Sequence, residues 1–244
     1  MLLLGGVTLV HIGCQGPRYA VSPASYYDMS RPLPIMSRGL ADVRDLVSFF
    51  LQTHPQADVS EVSAMAEHYI KEAGIEGVNH DVAFCQMCLE TNYLRFGGDV
   101  HRRQNNFGGI GATGHGVPGA SFKSVQIGIR AQIQHLKAYA STEPLRRGLV
   151  DPRFGRVPRG SAPYVEDLSG TWAVDPHYGA KIRSMLRSLA RSSHGHPRKV
   201  PPGTAGAGWR APGPGDLPMK RTICKNEKSS KTWAGRPCYF SHML

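Results

Sequence analysis

The chain has 244 residues, of which 41% are hydrophobic, and a formal net charge of +11. This length suits one domain of ordinary size with extensions, or two small domains. The hydrophobic fraction is enough to build a packed core, which excludes a chain that is disordered throughout. No apolar run reaches the ~18–20 residues that a helix needs to cross a bilayer, so the sequence excludes an internal transmembrane helix.

The positive charge is concentrated at the C-terminus. Residues 193–244 contain 9 Lys or Arg and 2 Asp or Glu, whereas residues 40–192 contain 17 and 15. Because the net charge comes mainly from this tail, it does not favour nucleic-acid binding by a folded face, and we expect no nucleic-acid partner. We predict a disordered basic tail over 193–244, which either contacts an anionic wall polymer or membrane surface or has no specific partner.

The first residues indicate export. The apolar run in residues 1–14 fits the hydrophobic region of a signal peptide, although it lacks the usual basic start. Ile12-Gly13-Cys14 is similar to the end of a bacterial lipoprotein box, with His11 where Leu is usual. We expect a protein of the periplasm or cell envelope, anchored to the membrane if Cys14 is lipidated. A buried N-terminal strand and an incorrect start site are the alternatives.

Residues 15–39 contain four prolines among Ser and Tyr, which predicts a linker. Helical periodicity follows, and it predicts one mainly α domain over 40–192. Apolar spacing predicts helices over 40–51, 60–73, 79–91 and 124–140. A last helix opens at Asp175-Pro176, a capping residue followed by proline at the first helical position. The glycine-rich stretch 95–121 predicts a structured loop or small β-lobe.

Glu90 is the strongest candidate for a catalytic residue. It lies near the C-terminal end of the third predicted helix, about 100° around the helix from Leu89 on the apolar stripe. Desolvation at the edge of a core and the negative end of the helix dipole both favour a protonated carboxyl, so both raise its pKa. A carboxylic acid that keeps its proton near neutral pH is what glycoside cleavage requires. The alternative is an ordinary solvated glutamate.

The five cysteines are odd in number and irregular in spacing, which does not predict a disulfide framework. Cys85 and Cys88 are one helical turn apart and near His80, so metal ligation is geometrically conceivable. No second pair of ligands lies nearby in the sequence. We therefore expect small, inert, buried cysteines, no metal site and no cofactor.

Four ordered motifs over about 60–190 carry a family resemblance. They are Glu90-Thr-Asn-Tyr93, Asn105-Asn-Phe-Gly-Gly-Ile-Gly111, Phe122-Lys-Ser-Val-Gln-Ile-Gly-Ile-Arg-Ala131 and Trp172-Ala-Val-Asp-Pro-His-Tyr178-Gly-Ala-Lys181. Together they resemble the glucosaminidase-domain family of peptidoglycan hydrolases, the mannosyl-glycoprotein endo-β-N-acetylglucosaminidase-like enzymes. The resemblance implies an α+β lysozyme-like fold, in which a helical lobe and a short glycine-rich β-lobe flank a sugar cleft.

The resemblance also implies an activity and a set of site residues. The activity is hydrolysis of the β-1,4 bond on the reducing side of N-acetylglucosamine in peptidoglycan glycan strands. The family's general acid falls on Glu90, and its active-site tyrosine on Tyr178, for which a core position is the alternative. The substrate-binding residues implied are Tyr93, Asn105, Asn106, Phe107 and Gly108. A plain tight turn is the alternative for the loop that begins at Asn105.

A second carboxylate is harder to assign, although glycosidases commonly use two. Asp99 is the only acidic residue between Glu90 and Glu143, and it follows two glycines. It is either a base or charge stabiliser or a plain loop residue. Without Asp99, water would attack with help from Tyr178, or the 2-acetamido oxygen of the substrate would act as the nucleophile.

Two other functions remain open at this point. A muramidase or lytic transglycosylase on the same fold would also suit a single essential glutamate. A catalytically weak or inactive wall-binding or assembly protein would explain the absence of a clear second carboxylate.

Overall fold

The computed structural model describes residues 27–28 and 30–192. The predicted signal segment 1–14 and basic tail 193–244 therefore lie outside the described residues. The helices are α1 (Val43–Thr53), α2 (Val59–Glu76), α3 (His80–Glu90), α4 (Val125–Ala140) and α5 (Tyr178–Ser192), and the strands are β1 (Ala112–Gly114) and β2 (Val117–Pro118). Short 3-10 turns cover Arg102–Gln104, Phe154–Arg156 and Val165–Leu168. Within this part of the chain, every helix is too short or too polar to cross a membrane.

The fold is mainly helical with one small hairpin, which confirms the predicted fold class. All five predicted helices are present, with boundaries that differ by a few residues. β1 and β2 pair antiparallel and join Ala112 to Pro118 and Gly114 to Val117, inside the glycine-rich stretch where a small β-lobe was predicted.

The helices begin where short polar side chains cap them. Asp42, Asp58, Asn79 and Ser124 each accept a hydrogen bond from a backbone N–H of the first turn of their helix. α2 ends at Gly77, which has a φ of 79° and lies in the left-handed region that glycine tolerates best.

α3 lies at the centre of the molecule. It packs against α1, α2, α4 and α5, and Leu89 is its only residue that is not buried. A helix that is apolar or hydrogen-bonded on every face is a core helix, and its sequence shows little amphipathic periodicity. The prediction that Leu89 continues a buried stripe with Glu90 at its edge was therefore wrong: Leu89 is half-buried, and Glu90 is buried.

The predicted linker 15–39 also needs a correction, because its described part belongs to the folded domain. Leu33 and Ile35 are buried in the core. The backbone of this segment pairs with the stretch before the last 3-10 turn, through Ile35 N to Pro163 O at 3.0 Å and Val165 N to Leu33 O at 2.9 Å. Prolines are compatible with such an extended edge segment, so proline content alone did not distinguish it from a linker.

The same segment is fastened to the first turn of α3 by Asp81. This fully buried carboxylate accepts hydrogen bonds from the Tyr27 hydroxyl, from Leu40 N at 2.7 Å and from Ala41 N at 3.2 Å. A buried carboxylate needs several donors to compensate for its lost hydration. Asp81 therefore joins the N-terminal segment to the helix that carries Glu90.

We expect Asp81→Ala to lower the free energy of unfolding by about 3 kcal/mol, because it removes a buried carboxylate that accepts hydrogen bonds from the Tyr27 hydroxyl and from two backbone N–H groups. Urea unfolding followed by far-UV circular dichroism measures this. The control is Glu67→Ala, an exposed carboxylate on α2 with no hydrogen bond or ion pair to the described residues. Its effect should stay within about 0.5 kcal/mol. Equal stability of the two variants would contradict the structural role of Asp81.

Candidate active site

The chain changes direction sharply where α3 ends. The Thr91 hydroxyl donates to Met87 O at 2.8 Å and accepts from Leu94 N at 3.0 Å. Asn92, Tyr93 and Leu94 then have φ values of 47°, 54° and 62°, a left-handed turn built from non-glycine residues. A left-handed backbone conformation at a non-glycine residue lowers the free energy of unfolding by about 1–2 kcal/mol, so the surrounding contacts must hold the turn in place. This turn ends the helix directly after Glu90.

The carboxyl group of Glu90 is enclosed by two aromatic donors. Its residue is 9% exposed. The Tyr178 hydroxyl and Trp172 Nε1, the latter at 3.0 Å, both donate to Oε1. Oε2 has no hydrogen-bond partner among the described residues, and it is not one of their fully buried unpaired atoms. The small exposed part of the carboxyl group therefore includes Oε2.

This environment raises the pKa of Glu90 to about 7. Desolvation by burial disfavours the carboxylate and dominates, while the hydrogen bonds from Tyr178 and Trp172 stabilise the carboxylate and partly oppose the shift. About half of the molecules therefore carry a protonated Glu90 at neutral pH, which is the state that a general acid needs.

Trp172 is held by close packing on its ring. The edge of His135 meets the ring at a centroid distance of 4.9 Å, and Tyr139 lies at 5.7 Å. On another side Gly108 leaves no room for a side chain, since a Cβ there would lie 3.2 Å from Trp172 Cζ2 and 2.9 Å from Gln132 Cγ. The indole N–H is thereby kept aimed at Glu90.

Tyr178 begins α5, and its ring is 5% exposed. Its hydroxyl accepts a hydrogen bond from Gln86 Nε2 at 3.1 Å. Just before it, the Asp175 carboxylate accepts from His177 N at 2.8 Å and pairs with Lys181 at 2.8 Å. The helix begins at Tyr178, so Asp175 lies in the turn before it and not at the predicted capping position. The structure thus brings together Glu90 and Tyr178, two of the residues that the sequence singled out.

In the predicted substrate-binding loop, the side chains of Asn105, Asn106 and Phe107 contact other parts of the protein. Asn106 is 1% exposed, and its amide donates to Ile110 O and Ala120 O and accepts from Ile110 N. Phe107 lies in the hydrophobic core, and Asn105 Nδ2 donates to Phe122 O at 3.0 Å. The side chain of Asn106 is therefore buried and bonded within the loop, which contradicts its implied role as a substrate-binding residue. The roles implied for the other loop residues stay predictions.

Tyr93 and Asp99 do not contact Glu90 through any hydrogen bond or ion pair between described residues. The Tyr93 ring packs on Phe50 and Phe49 of α1, with centroid distances of 5.4 and 6.1 Å, and burial raises its pKa to about 12. Asp99 accepts a hydrogen bond from Gly116 N at 3.1 Å, which ties the glycine-rich loop to the turn between β1 and β2.

The cysteines of α3 are fully buried, and burial raises the pKa of both Cys85 and Cys88 well above the usual range. Over 27–28 and 30–192, no group of three or more His, Cys, Asp or Glu is placed to hold a metal ion.

Sequence reasoning missed two polar partners of the site. Trp172 was quoted in a motif but was given no role, and Gln86 was not considered. Gln86 lies four residues before Glu90 on the same helix, a spacing that puts two side chains on one face. That spacing was the available signal for Gln86, whereas no local pattern pairs Trp172 with Glu90.

A mainly helical domain whose central helix ends in a desolvated carboxyl group, beside a small hairpin, is typical of lysozyme-like domains that act on glycans. The chain belongs to the glucosaminidase family. The family model described as mannosyl-glycoprotein endo-beta-N-acetylglucosaminidase matches residues 66–191. This is a family of peptidoglycan hydrolases, and membership implies a glycan substrate.

The chain is also similar to a bacterial protein. A Borreliella burgdorferi protein named "Uncharacterized protein" is 47% identical over 155 residues, which cover 64% of this chain and 76% of that protein. No solved structure matches the chain significantly.

We expect Trp172→Phe to raise the pKa of Glu90 above 7 by about one unit, because it removes a hydrogen bond that stabilises the carboxylate. Carbon-13 NMR titration of the glutamate side-chain carboxyls, assigned with Glu90→Gln, measures the shift. The control is Tyr139→Phe, which removes a hydroxyl bonded to Thr171 O beside Trp172. An unchanged pKa in Trp172→Phe would mean that the indole N–H does not stabilise the Glu90 carboxylate.

Proposed function

We propose that the protein is an exported endo-β-N-acetylglucosaminidase that cleaves the β-1,4 bond on the reducing side of N-acetylglucosamine in peptidoglycan, with Glu90 as the general acid. The observation that carries this proposal is the Glu90 carboxyl group, which is buried at the end of α3 beside the Tyr178 hydroxyl and the Trp172 indole N–H. Its burial raises its pKa to about 7. Membership of the glucosaminidase family supports the substrate class.

The contacts of Glu90 suit proton donation. Its carboxyl protonates the leaving glycosidic oxygen, and the negative charge that develops on the carboxylate is stabilised at Oε1 by Tyr178 and Trp172. These hydrogen bonds strengthen as the charge grows, so they favour the transition state over the bound substrate.

Tyr178 acts in this proposal mainly through Glu90. Its hydroxyl has one proton and donates it to Oε1, so that proton is not available to the substrate in this arrangement. Asp99 remains the candidate for a base or charge stabiliser, from its place on the loop that is tied to the turn between β1 and β2. Attack by the 2-acetamido oxygen of the substrate, or by water without a second carboxylate, is the alternative.

Export follows from the substrate, because peptidoglycan lies outside the inner membrane. The apolar segment 1–14 supports a periplasmic or envelope location, and a lipidated Cys14 would anchor the enzyme to the membrane. Side-chain chemistry is sufficient for the acid step, so the proposal includes no cofactor.

We expect Glu90→Gln to reduce release of soluble fragments from purified sacculi by about a hundredfold or more, because the amide cannot donate a proton to the leaving oxygen. Turbidity loss and chromatography of the digest measure release, and borohydride reduction followed by mass spectrometry identifies the new ends. Reduced N-acetylglucosamine ends from the wild type support the proposal.

Other results would assign a different function. Reduced muramic acid ends indicate a muramidase, and anhydro-muramic ends indicate a lytic transglycosylase. Sedimentation with sacculi without any turnover indicates a wall-binding protein. If Glu90→Gln keeps most of the wild-type activity, Glu90 is not the acid.

The raised pKa of Glu90 also makes folding stability depend on pH. The folded state binds the proton more tightly than the unfolded chain does, so the stabilisation is full below about pH 4.5 and is lost as pH rises through about 7. We expect Glu90→Gln to gain about 3 kcal/mol relative to wild type between pH 4 and pH 8. Urea unfolding of both proteins at the two pH values measures this, and a difference that does not depend on pH would contradict the raised pKa.

A further inference from the structure

A chain of buried polar side chains runs through the core to Glu90. The Tyr69 hydroxyl donates to Gln132 Oε1 at 2.6 Å, Gln132 Nε2 donates to Gln86 Oε1 at 2.9 Å, and Gln86 Nε2 donates to the Tyr178 hydroxyl at 3.1 Å. Tyr178 then donates to Glu90 Oε1. Tyr69, Gln132 and Gln86 are fully buried, and they come from α2, α4 and α3.

Every hydrogen bond in this chain points toward Glu90, and the backbone of α3 sets that direction. Gln132 Nε2 also donates to Ala83 O at 3.1 Å. A carbonyl oxygen can only accept, so the amide nitrogen of Gln132 must face α3. Gln86 must then accept through its oxygen and donate through its nitrogen.

The direction decides where the Tyr178 proton lies. Because the Tyr178 oxygen accepts from Gln86 Nε2, its own O–H points toward a different group, and it donates to Glu90 Oε1. With Trp172 Nε1 also donating to Oε1, that oxygen holds two donors. A carboxyl proton on Oε1 would compete with both donors, so the proton belongs on Oε2.

We propose that Gln86 and Gln132 are positioning residues that orient the Tyr178 hydroxyl toward Glu90 Oε1 and thereby place the transferable proton on Oε2. The proposal deepens the proposed function and rests on Glu90 being the general acid. Gln86 and Gln132 act through Tyr178, and among the described residues no side-chain hydrogen bond joins either of them directly to Glu90.

The free-energy cost of burying the Gln86 and Gln132 amides supports a functional role for them. Two glutamines with no exposed surface must recover their lost hydration through hydrogen bonds, and apolar residues of the same size would avoid that cost. Gly108 adds to this constraint, because the absence of its side chain lets the loop backbone pack on Gln132. The amides are held in one orientation by contacts from α2, α3 and the loop.

The other titratable groups near this row of hydrogen bonds make no hydrogen bond or ion pair with Glu90 among the described residues. Tyr178 and Trp172 are the side chains that meet its carboxyl group. Farther along the chain of hydrogen bonds are Tyr69, Cys85 and Cys88, whose pKa values burial raises well above the usual ranges, so they stay neutral near pH 7. His135 lies behind Trp172 and pairs with Asp151 at 2.8 Å.

The test is Gln86→Met, which keeps the length of the side chain but removes both hydrogen bonds. The Tyr178 hydroxyl then loses its fixed orientation and stabilises the Glu90 carboxylate less. We expect the pKa of Glu90, read from its own carbon-13 carboxyl resonance, to rise by about half a unit or more. We expect kcat on sacculi to fall roughly tenfold with an unchanged KM, and the basic limb of the pH profile to move to higher pH.

Gln134→Met is the matched control. Gln134 is also a fully buried glutamine of α4. Its amide donates to Gly148 O at 2.9 Å and accepts from Val150 N at 2.8 Å, so it takes no part in the hydrogen bonds that lead to Glu90. We expect a comparable loss of stability with the pKa of Glu90 and the pH profile unchanged. A merely structural role for Gln86 would make the two variants alike in all of these measurements, and that result would overturn the proposal.

The test still gives an answer in two other cases. If Gln86→Met does not fold, Gln132→Met leaves Gln86 in place without its orienting donor, and it should shift the pKa of Glu90 in the same direction by less. No shift in that variant would overturn the proposal. If wild type cleaves no glycan, the proposed function fails, while the NMR titration still decides whether the amides orient Tyr178.

Discussion

The candidate site depends on one desolvated carboxyl group at the end of a buried helix. Glu90 can hold a proton near neutral pH because α3 lies in the middle of the helical domain and removes water from the carboxyl group. Tyr178 and Trp172 moderate this effect from one side by donating to Oε1. Burial sets the direction of the pKa shift, and the two donors keep it within the range in which the proton can still be transferred.

α3 is held at both of its ends. At its first turn Asp81 binds the backbone of the N-terminal segment, and at its last turn Thr91 and the left-handed residues after it end the helix. The two anchors are about 15 Å apart along a helix that rises 1.5 Å per residue. The first anchor fixes the start of the helix against the N-terminal segment, and the second fixes where the helix ends after Glu90.

Several features near Glu90 oppose stability. Three of them lower the free energy of unfolding relative to an apolar core: the left-handed turn, the buried glutamines and the buried carboxyl group with its raised pKa. Elsewhere the domain has conventional sources of stability, such as the buried Lys137–Glu76 ion pair between α4 and α2 with its additional backbone donors Arg146 and Arg147. Three consecutive non-glycine residues in left-handed conformations directly after Glu90 are the kind of strain that is typical of functional sites.

Periodicity, capping residues and ordered motifs are local signals, so the sequence alone predicts the helices, the small β-lobe, the family and Glu90 and Tyr178 as candidate site residues. Three features depend on tertiary packing: Leu33 and Ile35 join the core, Asn106 faces inward, and Trp172 meets Glu90. Glu90 and Trp172 are 82 positions apart, and their contact depends on how α3 and the loop before α5 pack. Hydrophobic spacing shows that a helix is buried, but it does not show which distant donor will lie against its last carboxyl group.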